Sequence, residues 1–241
     1  MFILGVIPAR GGSKRIPRKN IKLMAGKPLI ACSILEAQKS KLNDVVVSTD
    51  DKNISIISEH YDCTVINRPD ELAQDTSPTP PVILHAVREY EQLTGIHVNA
   101  VMTLQVTSPL RTYVDINNAI EVFENNDSLI SVIEVFENND SLISVMEGVH
   151  PVKSYDHNGK PFFESELLDR SKHKKCYTRN GAIFITRRDL LETGRLMGDS
   201  PIFYEMPKSR SLDVDDEDDF MMVEAILKHQ RSVQNNGNCA N

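Results

Sequence analysis

The chain lacks the features that mark several common protein classes. Its four cysteines, Cys32, Cys63, Cys176 and Cys239, lie far apart with no C-x-x-C pair. Neither a zinc knuckle nor a disulfide framework is expected, and a reducing cytosol fits. No apolar run approaches the roughly 18 residues of a membrane span, and the amino terminus does not show the succession of regions of a signal peptide, so a cytoplasmic location is expected. The seven histidines show no metal-ligand spacing. The P-loop pattern is missing, which disfavours a P-loop kinase or ATPase. Gly11 and Gly12 are adjacent and no third glycine follows at the dinucleotide spacing, which disfavours an NAD-dependent oxidoreductase. A formal net charge of -7 argues against nucleic acid as a partner.

What is present begins at the first residues. An apolar run, Phe2 to Ile7, ends in Pro8-Ala9 and opens into a loop, Arg10 to Lys22, with six Lys or Arg residues and no acid. This reads as a buried strand feeding a basic loop whose two glycines let backbone N–H groups turn towards an anion. Arg10, Lys14 and Lys19 together can grip several phosphates, so the implied ligand is a polyphosphate. The plainer alternative is a solvated basic turn or a nuclear-import-like run at Lys14 to Lys22, but such runs sit on exposed tails and this one follows a strand.

At 241 residues and 40% apolar content the chain suits one main domain, residues 1–231. Strand-like runs at Asp44 to Thr49, Cys63 to Asn67 and Ala100 to Gln105 alternate with helix-like segments. The latter start at Pro28 and run over Lys52 to Tyr61, Pro81 to Leu93 and Phe220 to Lys228. This alternation predicts an α/β fold with a mainly parallel sheet, whose ligands bind beyond the carboxyl ends of the strands. Ser232 to Asn241 reads as a disordered tail.

Residues 121–133, EVFENNDSLISVI, are repeated as 134–146, EVFENNDSLISVM, differing only at Ile133 and Met146. The unit is too short for a solenoid and reads as a tandem duplication or a fault in the gene. It falls where a helix end, Glu121 to Asn126, is expected to pass into a strand, Ser128 to Val132. Either copy can fill either position, and loop entropy tolerates the remainder.

The second chemical signal is Asp213-Val214-Asp215. Residues two apart on an extended segment face one side, so these carboxylates can share a hard cation such as Mg2+. Asp216 to Asp219 instead read as the acidic start of the last helix. A triphosphate grip with a metal pair suggests phosphoryl or nucleotidyl transfer.

Several motifs taken in order carry a resemblance: Ile7-Pro8-Ala9-Arg10-Gly11-Gly12-Ser13-Lys14 with Lys19-Asn20, Ser48-Thr49-Asp50, Arg68-Pro69 with Leu72-Ala73-Gln74-Asp75, Leu104 to Arg111, Asn180 to Phe184, and Ser211 to Asp215. Together they resemble the acylneuraminate cytidylyltransferases, or CMP-sialic acid synthetases, over nearly the whole chain. The CMP-Kdo synthetases are less similar in the first loop. The resemblance implies a Rossmann-like three-layer nucleotide-diphospho-sugar transferase fold and a homodimer with a small dimerisation subdomain at about 152–176. It implies attack of a nonulosonic acid, such as N-acetylneuraminate or legionaminate, on the α-phosphate of CTP. It further implies Arg10 and Lys14 on the leaving phosphates, Lys19 nearer the α-phosphate, and Mg2+, or Mn2+ in its place, on Asp213 and Asp215. Ser13 is expected to contact substrate, Asn20, Arg68 and Thr79 to surround the nucleoside, and Gln105, Tyr177 and Asn180 to face the sugar. Lys153 would offset the sugar carboxylate or assist at the phosphate. Removing either repeat copy restores the family spacing between Arg111 and Lys153. The alternatives are a nucleotidyltransferase of the same fold using another NTP or sugar acid, and an inactive nucleotide-binding homologue.

Overall fold

A computed structural model describes residues 1–130, 140–147, 177–199 and 201–237. The run from Ile3 to Pro8 forms strand β1, buried along almost its whole length, as expected of a central parallel strand covered on both faces. A two-stranded ribbon, β2 (Leu23–Met24) and β3 (Lys27–Pro28), leads into helix α1 (Leu29–Gln38). Pro28 is the residue before the helix, one position earlier than the sequence suggests, because it also pairs with Leu23 in the ribbon. Then follow β4 (Asp44–Thr49), α2 (Lys52–His60), β5 (Thr64–Asn67), α3 (Thr79–Thr94) and β6 (Ala100–Leu104). These match the expected alternation to within one or two residues, and their ends have local causes. Asp51 accepts from the N–H groups of Asn53 and Ile54 to cap α2, and Gly95, at φ 71°, closes α3 in the left-handed conformation.

After β6 come α4 (Tyr113–Ile130), β7 (Ser141–Glu147), β8 (Tyr177–Arg187), α5 (Arg188–Glu192), β9 (Ile202–Glu205) and α6 (Glu217–Gly237). Among the described residues the main sheet has seven strands in the order β5-β4-β1-β6-β8-β7-β9. The pairs β4/β5, β1/β4, β1/β6 and β7/β9 are parallel, whereas β8 runs antiparallel to both β6 and β7. The connections leave β1 towards β4 on one side and reach β6 on the other. The crevice between the carboxyl ends of β1 and β6 is therefore where such a sheet binds ligand.

The two copies of the repeat adopt different structures. The first continues α4, with Phe123 fully buried in the core, and Ser128 to Ile130 remain helical where a strand was expected. The second supplies β7: Leu142, Ile143 and Val145 are buried between β8 and β9. The copy contiguous with the helix extends it, and the copy contiguous with the following chain takes the strand. Helix α6 runs to Gly237, occupying the start of the stretch expected as a disordered tail, because its hydrogen-bonded turns continue past Ser232, whose Oγ donates to the His229 carbonyl. The expected dimerisation subdomain at 152–176, and Lys153 within it, lie outside the described residues.

Candidate active site

The loops after β1, β5 and β6 meet, together with Asp215, around a cleft of about 660 Å³. Arg10, Ser13, Lys14, Lys19, Asn20, Arg68, Thr79, Gln105 and Asp215, all chosen from the sequence, line it. Their positions follow from the chain that carries them. Arg10 and Ser13 leave the end of β1, Arg68 follows β5, Thr79 opens α3 and Gln105 follows β6. Asn20 is buried and donates from Nδ2 to the Arg10 carbonyl at 2.9 Å, which holds the basic loop folded back on itself.

Gly11 acts differently from the expectation. The Gly11 N–H donates to Asp50 Oδ1 at 3.2 Å, so this amide already has an anion of the protein's own. A Cβ at Gly11 would meet the Asp51 side chain at 2.8 Å, so the residue is small because the α2 cap comes close to it. Arg10, Lys14 and Lys19, more than the Gly11 amide, are the donors this loop presents to the cleft.

Lys19 occupies the centre of the far wall. Its Nζ donates to the Val214 carbonyl at 2.7 Å, between Asp213 and Asp215. Burial pushes the Lys19 pKa down from 10.5, and the carboxylates of Asp215 and Asp213 oppose that shift. Arg15 pairs with Asp215 at 3.4 Å. Asp213 is not among the residues lining the cleft; it accepts from the Ser108 hydroxyl at 3.4 Å.

The segment carrying these acids is held from several sides. The Val214 N–H donates to the Thr107 carbonyl at 2.8 Å. Arg210 makes a two-pronged bond to the fully buried Asp115 at 2.8 and 2.7 Å. Burial works against the charge on Asp115, but Arg210 and Thr112 outweigh it and hold the carboxyl below its usual range. At the segment's end, Asp216 and Asp219 cap the start of α6 reciprocally, each accepting a backbone N–H from the other's residue. This bears out the reading of Asp216 to Asp219 as a helix start.

Arg68 is buried against Ser48, donating to its carbonyl at 2.7 Å and its hydroxyl at 3.2 Å. Burial lowers its pKa, and Asp50 works against that. Two expected sugar contacts are placed elsewhere. Asn180 is buried behind the cleft, where its Oδ1 accepts from Ser144 Oγ at 2.6 Å and the Ala182 N–H at 3.2 Å, and its Nδ2 donates to Ser211 Oγ at 2.8 Å. Its amide ties β7 and β8 to the segment leading to Asp213. Tyr177, at the start of β8, is 40% exposed and stacks edge-on with Phe203 at 6.0 Å. Neither residue lines the cleft.

Sequence reasoning assigned no role to Asp75, although it stood in a quoted motif. Asp75 lines the cleft and ion-pairs with both Arg10 and Lys14, whose hydrogen bonds hold its carboxyl below the usual range. The available signal was a lone acid facing a loop without acids, and long-range pairing of that kind leaves no spacing to read.

The sequence matches the family model for cytidylyltransferases over residues 4–235. The chain belongs to the cytidylyltransferase family. It is 35% identical over 233 residues to the post-translational flagellin modification protein B of Campylobacter coli, covering 95% of this chain and 96% of that one. It is 33% identical to a CMP-N,N'-diacetyllegionaminic acid synthase of Legionella pneumophila, covering 95% and 97%. It is 32% identical to the N-acylneuraminate cytidylyltransferase of Escherichia coli, covering 93% of this chain and 52% of that longer one. In fold it is similar to the solved structure of a CMP-2-keto-3-deoxy-manno-octonic acid synthetase complexed with CTP. That match has a TM-score of 0.71 at 15% identity and covers 95% of this chain and 99% of that one. The family assignment agrees with the resemblance read from the motifs, and the mainly parallel α/β sheet agrees with the fold expected from it.

Proposed function

We propose that the cleft transfers the cytidylyl group of CTP to the anomeric hydroxyl of a nonulosonic acid of the neuraminate or legionaminate kind. The hydroxyl oxygen bonds to the α-phosphorus as the bond to the β-phosphate oxygen breaks. Pyrophosphate leaves and a CMP-sugar remains. The observation that carries this reading is the meeting, in one cleft, of Arg10 and Lys14 from the first loop with Lys19 bound between Asp213 and Asp215. One side offers cations to a leaving polyphosphate, and the other offers fixed charge at the reacting phosphate. Relatives of nearly equal length named as CMP-legionaminic acid synthases support the choice of sugar class.

Arg68 and Asn20 have groups left for a base: the Arg68 guanidinium spends two donors on Ser48, and Asn20 spends its amide nitrogen on the Arg10 carbonyl. Cytosine presents both acceptors and an amino donor, which suits this pair. Gln105 lines the same cleft and is the described residue we assign to the sugar.

The donor set fits a divalent cation, Mg2+ or Mn2+. Asp213 and Asp215 offer hard oxygens whose charges converge on one ammonium and would hold the cation together with substrate phosphates. Such a cation would offset charge on the phosphates. We further propose a cytoplasmic homodimer; no helix among the described residues is long and apolar enough to cross a membrane.

The test is to incubate the protein with Mg2+, CTP and N-acetylneuraminic or legionaminic acid and to follow pyrophosphate and CMP-sugar. Product with either acid is the expected outcome. Absence of product with every nonulosonic acid tried, or equal use of other NTPs, sinks the reading.

A further inference from the structure

Arg10 and Lys14 share a single partner, the Asp75 carboxylate, and all three side chains line the cleft. Asp75 stands on the segment between the short turn Asp70–Leu72 and α3. None of residues 70–78 is buried. Their hydrogen bonds are local: Gln74 Nε2 donates to the Asp70 carbonyl at 2.7 Å, and Ser77 Oγ to the Glu71 carbonyl at 3.1 Å. Among the described residues, the polar ties from this segment to the rest of the molecule are the two ion pairs of Asp75. With Arg10 at 34% exposure, Lys14 at 77% and Asp75 at 39%, these pairs are screened by solvent and add little to folding.

A carboxylate in contact with two cations occupies the same donors that a phosphate would need, and like charge keeps both from staying there together. We propose that Asp75 is an internal stand-in for a phosphate, competing with the polyphosphate for Arg10 and Lys14 and releasing the 70–78 segment when it is displaced. The proposal rests on the reading of this cleft as a polyphosphate site. It gives Asp75 a positioning role before binding, since it keeps two long side chains gathered at the cleft, and a competing role during binding. The same carboxylate would retake the two cations as pyrophosphate departs.

Calorimetric titration with inorganic pyrophosphate tests this on the wild type, Asp75→Asn and Asp75→Glu. Removing the competing charge should lower the dissociation constant of Asp75→Asn by about tenfold, whereas Asp75→Glu should stay near the wild type. In turnover, Asp75→Asn should lower the KM for CTP without raising kcat, because product pyrophosphate is held longer. Cleavage after Glu71 by a glutamyl endopeptidase gives a second measurement. It should be slow in the wild type, faster when pyrophosphate is added, and fast in Asp75→Asn without it. Equal or weaker pyrophosphate binding by Asp75→Asn, or cleavage unchanged by pyrophosphate, overturns the stand-in role. Failure of both wild type and variant to bind pyrophosphate overturns instead the polyphosphate reading beneath it.

Discussion

The two walls of the cleft are built differently. On one, Arg10 and Lys14 reach Asp75 through solvent-exposed ion pairs from a segment with no buried residue. On the other, the segment Arg210 to Asp215 is clamped by Asp115, Thr107, Asn180 and Lys19, partly through buried groups. Exposed pairs form and break at little cost, and buried ones resist rearrangement. The first wall therefore suits an anion that must enter and leave, and the second suits geometry that must hold still while charge develops at phosphorus.

The contrast can be broken most sharply on the rigid wall. Asp215→Ala should lower kcat by about a thousandfold while pyrophosphate binding largely persists; full activity would remove the metal-holding role. Asp115→Asn leaves Arg210 without its counter-charge and one of its two acceptors and should cost about 3 kcal/mol in denaturant unfolding. The sign with pH follows from the lowered pKa of Asp115. Its contribution is present above the unfolded value, 3.8, and is lost as pH falls through the lower folded value. The variant should therefore lose part of the wild type's acid slope. Lys19, depressed by burial, should give kcat/KM an alkaline limb below 10.5, and Lys19→Arg should move that limb upward if it turns over. On the exchangeable wall, Arg10→Ala should raise the KM for CTP about tenfold with a smaller change in kcat. The smallest effect should come from outside the cleft. Deleting 134–146 removes most of β7 but leaves the identical Ser128-Leu129-Ile130 to take its place, so stability in a thermal melt should move by about 1 kcal/mol or less, and a large loss would mean that both copies are integrated in the fold.

Much of the fold was legible because local signals agreed. The apolar run of β1 and the alternation of short β-branched runs with helix-like segments each point to one structure. The repeat shows where local signals stop. Ser128-Leu129-Ile130 and Ser141-Leu142-Ile143 are the same residues, one helical and one in a strand. What separates them is position: Ser141 Oγ accepts the Gly198 N–H at 2.9 Å and Ser144 Oγ the Ile183 N–H at 2.8 Å, partners supplied by distant chain. The site was legible where chemistry is carried by side-chain type, as for Arg10, Lys14, Lys19 and Asp215. It was not legible where burial redirected a polar group, as for Asn180, or where a partner lies across the cleft, as for Asp75.

The bond from Lys19 to the Val214 carbonyl spans 195 positions of chain, and Lys22 to Glu217 spans the same distance. Contacts of such long range form late, because the intervening chain must be ordered before they close. During synthesis the basic loop is made well before its acidic counterpart. A ribosome-bound chain that stops before Asp213 would carry half a site, with the cations of the basic loop but without the carboxylates beside them. Catalytic competence should thus be the last property to appear on refolding, after the parallel half of the sheet has formed, and the first to vanish when the chain is cut before Asp213.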